Sequence, residues 1–341
     1  MRGAIAIWAE VGFGGHSCLL SPKAHLPANK MNRILLNAVV DPHATAAATD
    51  TNGTEAAASH GECVPNSHEY GHQWEQDFAM GCLWFCFALS IGILLFYAFE
   101  NWRATCGWEE VYVCVIELIM VSLEIFKGHS APATIYQTNG TRALWLRYAE
   151  WLLTCPVILI HLSNITGMHE EYTKRTMTLL VTDIGTIVFG TTAALTKGGL
   201  KVLFFFIGLT YGCVTFFNAA KVYQESFYMV PAGMCRDLVK YMCWIYFISW
   251  PMFPVLFVAG PEGFHVISWS GSIIGHTVAD ILSKNLWGLI GHYLRYKIHE
   301  YILIHGDIRK KVHHNILGQD EEIEEFVDEE DDQTTKMSSQ G

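Results

Sequence analysis

Seven apolar segments of bilayer length constrain the fold of this chain more than any other feature. The hydrocarbon core of a bilayer is about 30 Å thick, and about 20 helical residues cross it. Apolar runs of that length lie at residues 78–100, 108–127, 142–163, 176–196, 200–223, 236–259 and 268–301. Because the connections between them are short, consecutive helices should be antiparallel neighbours. We therefore predict an all-α fold, a bundle of seven transmembrane helices whose last helix continues past the bilayer toward His305.

The composition agrees with a membrane protein. Only 16% of the 341 residues are charged, whereas soluble domains carry about a quarter. Much of the net charge of −11 comes from one acidic stretch, residues 320–332, and such a run is typical of a solvated tail. This charge balance argues against nucleic acid as a partner.

The chain divides into three regions. Residues 1–77 lack a sustained hydrophobic period and are interpreted as an irregular N-terminal segment. Residues 78–305 contain the helices, and residues 306–341 form a tail that we expect to be disordered after about residue 318. The basic residues 309–311 favour a cytoplasmic C-terminus. With seven spans, the N-terminus is then extracellular.

An extracellular N-terminus bears on two kinds of covalent modification. The glycosylation sequons at Asn52 and Asn139 would lie outside the cell, and the one at Asn164 inside. Cys18 and Cys63 lie in the N-terminal segment, where an oxidising environment would allow them to form disulfides.

Asp280 and Lys284, one helical turn apart, are the most unusual residues of the seventh span. A charged side chain at mid-membrane depth costs at least about 2.5 kcal/mol, so such residues are functional candidates by default. The lysine amine can condense with an aldehyde, and Asp280 lies on the same helix face, where it would stabilise the resulting cation. A purely structural ion pair between packed helices explains the two residues about equally well.

Acidic residues recur along one face of the second span. Glu110, Glu117 and Glu124 are spaced by seven residues, which is two helical turns, and Glu109 adjoins the first of them. At 1.5 Å per residue the row is about 20 Å long, most of the bilayer core. Because acids facing lipid would be prohibitively costly, this face should line a wet cavity or pair with cations. We favour a pathway for cations over the alternative, structural hydrogen bonds between helices.

The third span carries four polar residues along one face: Arg147, Glu150, Thr154 and His161. Arg147 and Glu150 can pair with each other. Glu150 is also a second candidate counterion for a cation on Lys284.

Two further spans contain candidate site residues. Asp183 is the only acid of the fourth span, and a hydroxyl or thiol from a neighbouring helix would be its natural partner. In the sixth span Trp250 and Phe253 are one turn apart, and Pro251 and Pro254 should bend the helix around them. Aromatic stripes more often serve packing, but a buried lysine that requires a long apolar aldehyde favours a cofactor pocket.

Four sequence blocks, Gly107–Cys114, Arg147–Asn164, His276–Arg295 and Ile298–Lys310, resemble those of microbial-type rhodopsins, and among these the channelrhodopsins of green algae. The resemblance covers about residues 78–315, and the blocks occur in the expected order at fitting intervals. It implies that Lys284 carries all-trans retinal as a protonated Schiff base.

The same resemblance implies roles for other residues. Glu150 and Asp280 would be the counterions, and Cys155 and Asp183 the pair that links the third and fourth helices and sets how long the channel stays open. The retinal pocket would be formed by Trp151, Thr154, Cys155, Trp244, Trp250 and Phe253. The ion pathway would include a central constriction of Ser90, Glu117 and Asn285, an inner constriction of Glu109, Glu110, His161 and Arg295, and also Glu124 and Arg147.

The resemblance therefore predicts a light-gated cation channel of the plasma membrane, not an enzyme, and without a metal site. It would conduct protons and monovalent cations, with calcium as a further candidate. It would be a homodimer joined by intermolecular disulfides at Cys63 and also at Cys18. A light-driven proton pump and a sensory photoreceptor are the alternatives. A pump of this type has a second acid eleven residues after Glu150, where this chain has His161.

Overall fold

The computed structural model describes residues 71–102, 107–126, 135–136, 142–143, 145–165 and 170–327. The predictions for residues 1–70, including those for Cys18, Cys63 and the sequon at Asn52, lie outside the described residues, as does the sequon at Asn139.

Each of the seven predicted spans corresponds to helical structure. The first five are single helices: α1 (Gln73–Trp102), α2 (Trp108–Phe126), α3 (Trp145–Asn164), α4 (Glu170–Leu195) and α5 (Gly199–Met229). The sixth span consists of α6 (Met234–Ser249) and α7 (Met252–Ala259), and the seventh of α8 (Trp269–Asp280), a π-helical segment (Ile281–Leu286) and α9 (Trp287–His305). Between α2 and α3, strand β1 (Ile135–Tyr136) pairs antiparallel with β2 (Arg142–Ala143).

The sixth and seventh spans are interrupted where the candidate residues lie. In the sixth span the helix breaks at Trp250 and Pro251, which agrees with the predicted bend. In the seventh span the π-helical segment includes Lys284 and follows directly after Asp280. Short π-helical segments occur often at functional sites. The polar centre of the seventh span is therefore also the place where its backbone is least regular.

The helices form a closed ring. Consecutive helices from α1 to α6 pack against each other, and the seventh span contacts both α1, through α8, and α6, through α9. The largest buried apolar cluster joins α3, α4, α5, α6 and the seventh span, with Leu159, Leu162, Leu179, Met242 and Leu294 at its centre. The seventh span is thus held from both sides, and its polar residues point into the bundle.

Four described segments are long and apolar enough to cross a membrane by length and composition alone: Gln73–Trp102, Arg175–Leu195, Gly199–Met229 and Met234–Ala259. The other three predicted spans differ because they carry charged side chains. Their Glu117, Arg147 and Lys284 are nevertheless buried inside the bundle. The helices that expose mainly apolar side chains thus surround an interior that contains the charges.

A β-hairpin follows α9 and corrects one prediction. Strand β3 (Arg309–Ile316) pairs antiparallel with β4 (Gln319–Phe326), so the chain is not disordered after residue 318 but regular as far as Phe326. The two residues of its turn, Leu317 and Gly318, both have positive φ angles, as the commonest two-residue hairpin turn requires.

Basic residues on the helices bind the acidic strand of this hairpin. Glu321 forms ion pairs with Lys221 of α5 and with Arg175 of α4, the latter at 3.5 Å. Glu325 contacts Arg236 of α6 at 2.5 Å. An acidic run that would repel itself in isolation therefore folds because cations from three helices compensate it.

We expect Glu321→Gln to loosen the hairpin, because Glu321 is paired with both Arg175 and Lys221. Partly exposed ion pairs contribute about 0.2–1 kcal/mol each, which corresponds to a severalfold faster proteolytic cleavage between residues 309 and 326. Glu322→Gln is the matched control, since Glu322 lies on the opposite face of β4 and pairs with Lys311 of the same hairpin. Equal cleavage rates in the two variants would contradict the expectation.

Candidate functional site

Lys284 lies at the centre of a buried charged cluster. Its side chain is almost completely shielded from solvent, and its Nζ forms ion pairs with Glu150 of α3 and with Asp280 Oδ1, the latter at 2.7 Å. The π-helical segment presents this amine between the two carboxylates. Both residues predicted as counterions are therefore in direct contact with the lysine.

Arg147 extends the cluster toward α2. Its Nη1 donates a hydrogen bond to Asp280 Oδ2 and its Nη2 donates one to Glu124 Oε2, both at 3.2 Å. Of the two partners considered for Glu150, Arg147 and Lys284, the structure shows an ion pair with Lys284. Asp280 thus binds both cations, one through each oxygen. Four buried charges, two cations and two carboxylates, thus lie together with the half-buried Glu124, an arrangement that is stable only if the partners compensate each other closely.

A second polar contact lies two helical turns closer to the start of α2, at Glu117. Asn285, next to Lys284 in the chain, donates a hydrogen bond from Nδ2 to Glu117 Oε1 at 2.9 Å. Ser90, predicted to share this constriction, is also buried, but its hydroxyl has no hydrogen-bond partner among the described residues. Its carbonyl accepts a hydrogen bond from the Cys114 thiol at 3.2 Å. Glu117 and Asn285 are therefore brought together, whereas the Ser90 hydroxyl does not join them.

A third contact lies at the start of α2, where the four residues predicted for the inner constriction come together. Arg295 Nη1 is 3.3 Å from Glu110 Oε1 and 4.0 Å from Glu109 Oε2. His161 Nδ1 lies 3.8 Å from the same Glu110 oxygen. Asn164 also contributes, because its Nδ2 donates to Glu109 Oε1 at 2.6 Å.

A small cavity separates the second and third contacts. It has a volume of about 20 Å³, and its walls include Tyr97, Glu110, Glu117, His161 and Asn285. This volume is enough for about one water molecule. The acidic face of α2 therefore makes three polar contacts, and a small cavity lies between two of them.

A larger cavity of about 150 Å³ lies on the other side of α3 and has mainly apolar walls. It is bordered by the predicted pocket residues Trp151, Cys155, Trp250 and Phe253, by Asp183, and by residues of α4 and α5, Gly190, Gly208 and Gly212 among them. The Trp151 and Phe253 rings are 4.9 Å apart. The two rings therefore contact each other, and the cavity offers an apolar space beside them.

Two predicted pocket residues do not border this cavity. Trp244 has 67% of its surface exposed on the outside of the bundle, so its predicted pocket role is wrong. Six residues of helix place it about 120° around the axis from Trp250. Thr154 is buried, and its hydroxyl donates to the Glu150 carbonyl at 2.9 Å. Thr154 therefore supports the helix turn that carries Glu150 rather than the cavity wall.

Cys155 and Asp183 border the same cavity, as a pair that links α3 and α4 would require. Asp183 Oδ2, however, is buried without a hydrogen-bond partner in the described part of the chain. The two side chains thus border one cavity, and the acid retains an oxygen without a hydrogen-bond partner among the described residues.

Sequence reasoning missed two further polar contacts. Tyr148 donates a hydrogen bond of 2.5 Å to the buried Glu262, which follows α7, and His292 Nε2 lies 4.0 Å from Glu100 Oε2. Glu100 and His292 are ionisable residues in or beside apolar spans, so the rule that singled out Lys284 could have found them. No sequence signal marks Glu262, because it lies in a connection between helices.

The comparisons with known proteins agree with this geometry. The model of the bacteriorhodopsin-like protein family matches residues 78–298. The red light-activated channelrhodopsin Chrimson has a similar structure, with 49% sequence identity and a TM-score of 0.72; the match covers 76% of this chain and 90% of that one. Bacteriorhodopsin-I of Haloarcula marismortui is 24% identical over 213 residues, which are 59% of this chain and 84% of the relative.

A more distant structure shows the shared fold alone. The cyanorhodopsin N2098R of Calothrix sp. NIES-2098 is 18% identical, with a TM-score of 0.54 and coverage of 63% of this chain and 94% of that one. The chain therefore belongs to the bacteriorhodopsin-like family of seven-helix rhodopsins, and within that family to the channelrhodopsins.

Proposed function

We propose that this chain is a light-gated cation channel that binds all-trans retinal covalently through Lys284. The observation that carries the proposal is the acidic face of α2, which makes three polar contacts in succession: Glu110 with Arg295, Glu117 with Asn285, and Glu124 with Arg147. The last of these contacts belongs to the same cluster as the lysine. A light sensor without a pathway would not require such a row of acids.

The residues around Lys284 fit the proposed cofactor. A covalent link to an aldehyde requires an amine, and a cation formed there requires nearby carboxylates, which Glu150 and Asp280 supply. A long hydrocarbon requires an apolar space with flat walls, which the cavity beside Trp151, Trp250 and Phe253 offers. When bound, retinal supplies the absorption of visible light and a change of shape next to the lysine.

The chain's own residues connect the lysine to the pathway in two ways. Asp280 forms ion pairs with both Lys284 and Arg147. A displacement of the lysine charge therefore changes the interaction of Asp280 with Arg147, and with it the ion pair between Arg147 and Glu124. Asn285 adjoins Lys284 within the π-helical segment and holds Glu117. Movement of this one segment therefore weakens two of the three contacts together, and water can then enter along the acidic face of α2.

The negative charge of the side chains along the pathway favours cations. Rows of acidic side chains are a common basis of cation selectivity in channels, and three glutamates, Glu110, Glu117 and Glu124, lie along this face, with Glu109 next to the first of them. We propose protons and monovalent cations as the conducted ions, with calcium as a further candidate.

The alternatives have less support. A light-driven proton pump requires an internal proton donor, but His161 stands at that position, and it contacts Glu110 beside Arg295 instead of facing Lys284. A sensory photoreceptor leaves the polar contacts of α2 without a use. Both alternatives would share the lysine and its counterions, so only the pathway distinguishes them.

Voltage clamp with ion substitution tests the channel directly. We expect a photocurrent that reverses sign as the membrane potential crosses the equilibrium potential of the permeant cations, and that shifts its reversal when sodium or the proton gradient is changed. A current that stays outward at every voltage would favour a pump. Cells that express the Lys284→Ala variant serve as the control for currents from other sources.

We further propose a multi-pass plasma-membrane protein with an extracellular N-terminus, in a homodimer linked through Cys63 and also Cys18. The basic residues 309–311 support the cytoplasmic C-terminus. The side chain of Asn164 donates to Glu109, which is consistent with a sequon that carries no glycan on the cytoplasmic side. Electrophoresis without reducing agent tests the linkage, since the double substitution of Cys18→Ser and Cys63→Ser should abolish a covalent dimer.

A further inference from the structure

We propose that Cys86 is a further residue of the ion pathway, whose thiol positions Glu117 in the closed state. This inference rests on the proposed channel function and adds a residue of α1 to the contact between Glu117 and Asn285. Cys86 would act through Glu117 and is therefore a positioning residue.

Side chains from three helical elements meet at one carboxylate oxygen, Glu117 Oε1. Cys86 Sγ lies 3.5 Å from Glu117 Oε1 and donates to it, and the same oxygen accepts the 2.9 Å hydrogen bond from Asn285 Nδ2. Cys86 and Glu117 are both completely buried. The contact therefore joins α1, α2 and the seventh span at a single atom, so that a movement of any one of the three elements disturbs it.

Two polar atoms beside this contact are unsatisfied. Glu117 Oε2 and the hydroxyl of Ser90, one helical turn after Cys86, are buried without a hydrogen-bond partner among the described residues. Buried polar atoms without partners are costly, so the closed state is poorly compensated here. A thiol is also a weak donor. Water that enters this level can replace the thiol at little cost and can satisfy both unpartnered atoms.

The competing explanation is that Cys86 serves only as a small apolar residue, the commonest use of a buried cysteine. Its other neighbours, Leu83, Val121 and Ile125, are indeed apolar. The two explanations differ in what they require at residue 86. Packing requires volume, whereas positioning requires a donor, so alanine and serine substitutions of similar size separate them.

Patch-clamp recordings of Cys86→Ala and Cys86→Ser supply the first test. We expect Cys86→Ala to slow channel closing by about two- to fivefold, the effect of losing one modest hydrogen bond, and to shift the reversal potential under a proton gradient. Cys86→Ser retains a donor and should close at nearly the wild-type rate. Wild-type closing and reversal in Cys86→Ala, or equal changes in both variants, would overturn the proposal.

Chemical modification supplies a second readout that does not depend on current. A charged, membrane-impermeant methanethiosulfonate reagent should label Cys86 of the purified, retinal-bound protein faster under illumination than in the dark, as measured by mass spectrometry. Cys243, half-buried in the apolar cluster around α6, is the matched control and should show no dependence on light. Equal labelling of Cys86 in light and dark would count against the proposal.

Photocurrent recordings with the same reagent distinguish a failure of this inference from a failure of the channel function on which it rests. If the wild-type protein gives no photocurrent that reverses with the cation gradient, the channel function itself fails. If that current is present and the reagent blocks Cys86→Ala as rapidly as wild type, only the role of Cys86 fails. A light-dependent block that is lost in Cys86→Ala and kept in Cys243→Ala is the result that the geometry leads us to expect.

Discussion

Replacement of Lys284 by arginine should abolish both the visible absorption band and the photocurrent. Arginine keeps the positive charge that Glu150 and Asp280 require, but its guanidinium is not deprotonated in proteins and cannot condense with an aldehyde. Lys284→Ala should have the same spectral effect and a lower yield of folded protein, because the buried Glu150 would lose its cation and Asp280 would keep only Arg147, at a cost of about 3–5 kcal/mol. The measurement is an absorption spectrum of each purified variant with added all-trans retinal, together with whole-cell photocurrents.

A matched control separates the reactive amine from lysines in general. Lys201, near the start of α5, donates to the Glu262 carbonyl at 2.5 Å and lies apart from the counterions. Lys201→Arg should therefore retain the absorption band and the current. A covalent chromophore that survives in Lys284→Arg would contradict the attachment site, whatever the current shows.

The helical bundle was accessible from the sequence because bilayer length and hydrophobicity are local properties. All seven predicted spans correspond to helices of the structure, and the predicted extension of the last helix to His305 is confirmed. The π-helical turn at Lys284 was not foreseen, since it depends on how the seventh span fits between α1 and α6. The hairpin was missed for a similar reason, because the cations that compensate β4 lie on three other helices.

The sequence predicted which residues form the site better than it predicted which of them contact each other. Ionisable residues in apolar spans are rare enough to be noticed one by one, which identified Glu117, Glu150, Asp280 and Lys284. Their pairing depends on the angle between helices, and for that reason the contacts of Arg147 with Asp280 and Glu124 were not predicted. Trp244 is a different case, because helical periodicity alone would have placed it on another face from Trp250.

Asp280 binds two cations, whereas Glu150 binds only Lys284 in the described cluster. We therefore expect Asp280→Asn and Glu150→Gln to differ in their photocurrents. Both substitutions remove one negative charge from the buried cluster and one partner of Lys284. Only Asp280→Asn also removes the charge that holds Arg147 and so weakens the connection between the lysine and Glu124. Both variants should therefore change the absorption maximum, whereas the photocurrent should fall much further in Asp280→Asn.

We expect the peak photocurrent of Asp280→Asn to fall at least about tenfold relative to Glu150→Gln, since a hydrogen bond to a charged group contributes about 1.5–3 kcal/mol. The currents are compared at equal amounts of retinal-bound protein, measured from the absorption band, so that differences in yield do not enter. Glu124→Gln is the third variant. It weakens the ion pair between Arg147 and Glu124 and leaves the partners of Lys284 unchanged. It should reduce the current while leaving the absorption maximum close to that of the wild type. If Glu150→Gln lost its current and Asp280→Asn conducted normally, the coupling from lysine to pathway would have to run through α3 instead of Arg147.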